Sequence, residues 1–370
     1  MKLRIPESIL AIPAYVPGKP VEELERERGI SGAVKLASNE NPLGPSPKAL
    51  EAVQRCLAGV HRYPESGGWA LTRKIASRLG LTPGHIVLGN GSDDLIVMLA
   101  TAFLRPGDEV VMARPSFQMY EIVTRAAGAV PVEVPLAGYR HDLSAMAGRV
   151  TERTRMVFVN SPHNPTGSAV TVREFDAFLA ALPPEVIVVL DEAYIEFVRM
   201  PDSADSRGYA EGERPVVGLR TFSKAFGLAG MRIGYGIMAP AVAEVLHRVR
   251  QPFNVGLPAQ KAAEAALDDA EFLEATLQTV HAGVDFLRES LRALGLESLP
   301  TQANFVFFRV PGPARAVFEA LLERGVIVRP LDSYGYPDGI RVNAGRPDEN
   351  RRFVDALREA LAEGAGRGSG

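Results

Sequence analysis

One cysteine, Cys56, and six scattered histidines leave this 370-residue chain little with which to build a disulfide or a metal cluster. A lone cysteine excludes an intrachain bridge and a cysteine-based zinc site. No two histidines fall at i, i+3 or i+4 spacing, so no helical metal-binding pair exists either. The net charge is only −3, which gives no basic field for nucleic acid or an anionic membrane. No apolar run approaches the ~18 residues of a membrane span, and the N-terminus, broken by Pro6, Glu7 and Pro13, makes a poor signal peptide. The glycine signature GxGxxG is absent, since GNGSDD lacks its third glycine, and there is no GxxxxGK[ST]. A nicotinamide dehydrogenase is thereby set aside. The expectation is a soluble cytoplasmic protein with neither membrane nor nucleic-acid partner.

What remains is the composition of an ordinary globular protein, 46% hydrophobic and 23% charged. The length suggests two domains. Residues 1–20 read as an extended, proline-punctuated arm, followed by a charged helix over 21–28 and a short strand at VKL. Ser46 with Pro47 is a helix start, a hydroxyl cap with proline in the first turn, and that helix runs to about Leu57. A glycine-rich loop then leads into a helix ending at Gly80. From Pro83 strands and helices alternate: strands at 85–90, 109–113, 129–136, 155–160, 186–190 and 215–219, with Ser92 capping the helix after the first. VIVVL (186–190) is wholly apolar, as a strand buried on both faces should be. After Ala239 the texture changes to a long Ala-rich helical stretch, 257–294, broken near Asp268. Strands NFVFFRV, VIVRPL and GIRVNAG and a closing helix to Ala362 follow. The pattern predicts an α/β fold. A large domain over 45–256 carries a mainly parallel central sheet, a smaller α+β domain spans 257–362 with the arm 1–44 completing it, and the tail 363–370 is disordered.

In parallel sheets ligands gather at the carboxyl ends of strands, and that is where the reactive residues fall. Ser92 and Asp93 open a helix after GNG, where free N–H groups attract a phosphate. Phe117 begins the next helix. Asn164 lies in SPHNPTG, Asp191 directly follows VIVVL, and Tyr194 stands three residues on. Thr221, Ser223 and Lys224 end the strand over 215–219, and Arg232 lies eight residues further. A lysine among hydroxyls and apolar residues is partly desolvated, which lowers its pKa and lets it form a Schiff base with a carbonyl.

SPHNPTG, VVLDEAY and TFSKAFGLAGMRIGY together resemble the fold-type I, pyridoxal-phosphate-dependent aminotransferases, over nearly the whole chain. Within them, PAYVPGKP, LASNENPLGPSP, HRYP, GNGSDD and QPFNVGLPAQ are similar to the histidinol-phosphate aminotransferase family. The resemblance implies pyridoxal 5′-phosphate carried by Lys224, which also shuttles the proton, and Asp191 paired with the ring nitrogen. Asn164 and Tyr194 would hold the phenolic oxygen, Phe117 would stack on the ring, and Ser92, Asp93, Thr221, Ser223 and Arg232 would cup the phosphate. It further implies a homodimer in which Tyr63 reaches the partner's cofactor. Tyr15, Asn41, Arg329 and Arg341 would anchor the substrates, histidinol phosphate and glutamate or 2-oxoglutarate. Gly256 and Asn343-Ala344 depart from the family's pattern on the substrate side. An aromatic amino-acid aminotransferase is the nearest rival, and a decarboxylase or a ligand-sensing domain on the same fold stands behind it.

Overall fold

The computed structural model describes residues 3–12 and 18–367, with side chains to Glu363. Twelve strands lie in it: β1 (Val34–Lys35), β2 (Ile86–Gly89), β3 (Glu109–Arg114), β4 (Val130–Pro135), β5 (Thr154–Asn160), β6 (Ile187–Asp191), β7 (Val216–Thr221), β8 (Gly234–Ile237), β9 (Phe305–Arg309), β10 (Val326–Ile327), β11 (Arg329–Pro330) and β12 (Gly339–Asn343). Seven of them form one sheet in the order β2-β8-β7-β6-β5-β3-β4. Its pairings are parallel except at β8, which runs against both β2 and β7. The expected α/β fold with a mainly parallel central sheet is therefore present.

Burial explains the strand sequences. Every residue of β6 is buried, as its unbroken apolar run predicts, and β2, β7 and β8 are buried throughout as well. Helices such as Ser92–Phe103 and Val172–Ala181 cover the sheet, their apolar residues joining the clusters on its two faces. Each fully buried Leu, Val or Phe contributes about 1.5–3 kcal/mol relative to exposure. Ser46 caps the helix Pro47–Cys56 by accepting from the Ala49 N–H at 3.3 Å, as expected, and its own hydroxyl donates to Asp269 at 2.5 Å.

A second, three-stranded antiparallel sheet has the order β11-β12-β9, and β1 pairs in parallel with β10 beside it. The run VIVRPL, read as one strand, is thus split: Val326–Ile327 pairs with β1, and Arg329–Pro330 turns to pair with β12.

Four further details differ from the sequence reading. Ser92 is the first residue of its helix, and the cap position is Gly91, in a positive-φ conformation. A turn of helix, Glu7–Leu10, interrupts the extended arm. Helices over Leu143–Ala147 and Pro240–Val249, unforeseen in the sequence, occupy connections. The closing helix continues to Arg367, so residues 363–367 of the tail expected to be disordered are helical, despite the poor helix propensity of Gly364 and Gly366.

Candidate active site

Parallel strands that start on one side of a sheet finish on the other, so β2, β3, β5, β6 and β7 deliver their following residues to one edge. The antiparallel β8 begins at that same edge and brings Arg232, two residues before it, to the same place. A cavity of about 220 Å³ opens there. Twelve residues expected from the sequence border it: Ser92, Asp93, Phe117, Asn164, Asp191, Tyr194, Thr221, Ser223, Lys224, Arg232, Arg329 and Arg341.

The Lys224 ammonium donates to the Ser38 carbonyl at 3.0 Å. Burial, assisted by the neighbouring Arg341 charge, brings its pKa down to about 8. Asp191 ends β6 fully enclosed, and burial pushes its carboxyl up to about 6. Two hydrogen bonds oppose that rise, from the Tyr120 hydroxyl at 2.5 Å and from the Ala193 N–H at 3.2 Å. Asn39 donates its side-chain amide to the Tyr194 hydroxyl at 2.9 Å.

At the other end of the cavity, Thr221 donates its hydroxyl to Ser223 at 3.0 Å. Arg232 sits in a left-handed conformation (φ 52°) and reaches Ser223 and Asp93, each at 3.5 Å. Burial raises the Asp93 pKa, while Arg232 and Lys224 pull it back. Gly91 has φ 78°, and a Cβ there would stand 2.5 Å from an Arg232 terminal nitrogen. The helix start is therefore bare backbone facing a guanidinium, the arrangement that receives a phosphate.

Arg329 and Arg341 are cross-strand partners on β11 and β12. Arg341 donates to the Asn164 side-chain oxygen and, at 2.7 Å, to the Ala37 carbonyl, and its guanidinium lies 5.3 Å from the centre of the Phe305 ring.

Three expected residues are not among those twelve. Tyr15 falls outside the described residues. Asn41 does not border the cavity; its amide donates to the Ala225 carbonyl at 2.9 Å and to Thr276 at 3.1 Å, bracing the Lys224 loop from behind. Tyr63 is absent from this chain's own cavity and is 82% exposed, stacked on Phe253 at 4.6 Å. In turn, Ser38, Asn39, Asn160 and Tyr334 border the cavity, and Tyr120 stands behind Asp191, without having been anticipated. Phe117 caps the helix Gln118–Ala126 from an extended conformation, and its ring meets that of Tyr120 edge to face at 5.6 Å.

The family model for aminotransferase class I and II matches residues 31–357. The histidinol-phosphate aminotransferase of Moorella thermoacetica is 46% identical over 357 residues, covering 96% of this chain and 92% of that protein. Histidinol-phosphate aminotransferase 2 of Pseudomonas fluorescens is 47% identical over 350 residues, 94% of this chain and 95% of its own length. Among solved structures, the histidinol-phosphate aminotransferase from Sinorhizobium meliloti in complex with pyridoxal-5'-phosphate superposes with a TM-score of 0.90 at 28% identity, over 98% of this chain and 99% of that one. With the strand-end site in place and a match along almost its whole length, the chain belongs to the class I and II aminotransferases, within the histidinol-phosphate aminotransferase family.

Proposed function

We propose that this chain is a histidinol-phosphate aminotransferase. It moves an amino group between histidinol phosphate and 2-oxoglutarate, with pyridoxal 5′-phosphate held on Lys224. The observation that carries the proposal is that Lys224, Asp191 and the Arg329–Arg341 pair border one cavity. The donor set fits the cofactor: an amine made reactive near neutrality by burial, a buried carboxylate suited to a cationic ring nitrogen, and a bare helix start facing Arg232. When bound, the cofactor supplies an electron sink for the electrons of the substrate's C–H bond.

The chain's own residues do the rest. Asp191 keeps the ring nitrogen protonated through charge pairing. Lys224 Nζ, with a pKa of about 8, is poised to take a proton from the substrate carbon and return it on the other side of the transfer. Asn164 and Tyr194 would hold the phenolic oxygen, Phe117 would stack on the ring, and Thr221, Ser223, Arg232 and the backbone at Ser92 and Asp93 would hold the phosphate. Arg329 and Arg341 present two cationic forks to the substrate anion, a phosphate in one half-reaction and a carboxylate in the other. Tyr15 assists them.

In this reading 45–256 form the cofactor-binding domain, and 1–44 with 257–362 the smaller one. The enzyme is cytoplasmic and works as a homodimer. Tyr63 and Phe253 are 82% and 40% exposed, with Leu57, Val60 and Trp69 also at the surface. Apolar side chains left in water in this way suit a subunit interface. Tyr63 then serves the partner's cavity rather than its own.

The test is a substrate panel with 2-oxoglutarate as acceptor. Histidinol phosphate is expected to be the preferred amino donor. A kcat/KM for phenylalanine equal to or above that for histidinol phosphate would replace this reading with an aromatic amino-acid aminotransferase.

A further inference from the structure

Three consecutive residues after β1 gather the working parts of the site. The Ala37 carbonyl accepts from Arg341 at 2.7 Å, and the Ser38 carbonyl accepts from Lys224 at 3.0 Å. Asn39 is held from two sides: its N–H donates to the Asn343 side-chain oxygen at 3.1 Å, and its carbonyl accepts from the Asn304 amide at 3.0 Å. Asn39 is 2% exposed and takes a left-handed conformation, φ 55°, that asparagine tolerates better than most residues. With the backbone fixed in this way, its side-chain nitrogen reaches the Tyr194 oxygen at 2.9 Å.

We propose that Asn39 is a positioning residue, which by donating to the Tyr194 oxygen directs that hydroxyl's one proton toward the cofactor's phenolic oxygen. The inference rests on the cofactor reading above. A tyrosine hydroxyl has a single proton to give and also accepts. With Asn39 supplying a donor, the proton of Tyr194 is left for another acceptor. Were Asn39 to offer its oxygen instead, that proton would be consumed within the protein.

The charged and titratable groups around Tyr194 are Arg341, Asp191, Tyr334 and Lys224, whose ammonium lies 5.9 Å from the ring centre. Burial outweighs them and pushes the Tyr194 hydroxyl up to about 12, so it stays protonated and able to donate across the neutral range. The Asn343 departure noted in the sequence acquires a purpose here. A side-chain amide oxygen at that position holds the Asn39 N–H, and so sets the direction from which Asn39 meets Tyr194.

The consequence is measurable without turnover. A hydrogen bond donated to the phenolic oxygen stabilises its anion and lowers its basicity. The proton shared between that oxygen and the Lys224 nitrogen is then released at lower pH. The readout is the pH midpoint of the visible absorbance change of the bound cofactor. Asn39→Gly deletes the side chain while keeping both backbone hydrogen bonds, and glycine accepts the positive φ. It is expected to raise the midpoint by roughly 0.5–1 pH unit, the size of one modest hydrogen bond. Tyr194→Phe should raise it too, and adding Asn39→Gly to Tyr194→Phe should produce no further shift. Asn39→Asp, an acceptor of the same shape, should also raise it. A midpoint unmoved by Asn39→Gly, lowered by Asn39→Asp, or shifted by Asn39→Gly as much without the Tyr194 hydroxyl as with it, would overturn the proposal. If the wild-type protein showed no visible cofactor band at all, it is the cofactor reading that would fall.

Discussion

The hydroxyl of Tyr120 donates to Asp191 at 2.5 Å, and the Tyr120 ring lies stacked 4.2 Å from that of Phe158. Packing thus fixes the donor against a carboxylate that burial pushes up to about 6. The hydrogen bond favours the charged form and lowers this pKa, so removing it raises the pKa further. Tyr120→Phe should therefore depress activity most on the acid side, by roughly 5–10-fold near pH 6.5, and less at pH 8. A profile of kcat/KM against pH reads the effect as an upward shift of the acid limb. An unshifted limb would remove Tyr120 from this role.

Arg341 meets Arg329 across the strand pair and holds Asn164 and the Ala37 carbonyl. Arg341→Ala should impair both half-reactions, because each substrate presents an anion to this corner. For the same reason, unphosphorylated histidinol should be poorer than its phosphate by roughly 100-fold or more, since charged donors then lose their partner. Single-turnover measurements of each half-reaction separate the two effects. Loss in one half-reaction alone would assign the second anion to a different group.

The placement of Tyr63 outside its own cavity makes a mixing experiment decisive. An inactive Tyr63→Ala chain and an inactive Lys224→Ala chain should regain part of the activity once subunits exchange, because the heterodimer contains one intact site. Differently tagged chains report the exchange itself. Proven exchange without recovered activity would confine Tyr63 to its own subunit.

Away from the cavity, burial pushes the Glu196 carboxyl up to about 7, and one of its oxygens has no partner among the described residues. A carboxyl whose pKa is raised on folding destabilises the fold where it must ionise. The cost is complete above about pH 7 and vanishes below the ordinary carboxylate value near 4.5. Glu196→Gln should therefore stabilise the protein by roughly 1–2 kcal/mol at pH 8 and by less than half of that at pH 5. Urea unfolding at the two pH values tests this. An equal gain at both would mean that packing, not charge, is responsible.

Much of the site is legible in the sequence because strand-end chemistry is local. A buried apolar run followed by Asp191, or one that ends in Thr221, Ser223 and Lys224, declares both the element and the edge to which it points. Ser46 and Gly80 mark helix ends by the same local logic. What is not legible depends on contacts between distant segments. Asn39 is one of two amides in the stretch NEN, and only Asn304 and Asn343 decide which of them faces Tyr194. Asn41 looks equally suited to bind a ligand, yet Ala225 and Thr276 claim its amide. Tyr120 reads as one more aromatic on an amphipathic helix until its hydroxyl is seen against Asp191. The antiparallel β8 has an unremarkable sequence, GYGI, and its direction follows from the short connection that carries Arg232 back to the same edge.

The clamp on residues 37–39 also bears on the order in which the protein can be made. Asn39 and Ala37 are each joined to partners 304 residues later, on β12. A chain emerging from the ribosome completes all seven strands of the large sheet well before β12 is synthesised. Until then Asn39 lacks its Asn343 anchor and Arg341 is absent. Closing so long a loop adds little entropy beyond closing a moderate one, since the cost grows only with the logarithm of length. The timing is nevertheless fixed by chain order. The strands that end at Asp191 and Thr221 thus precede the strand pair that carries Arg329 and Arg341, and the cavity gains its two arginine forks last.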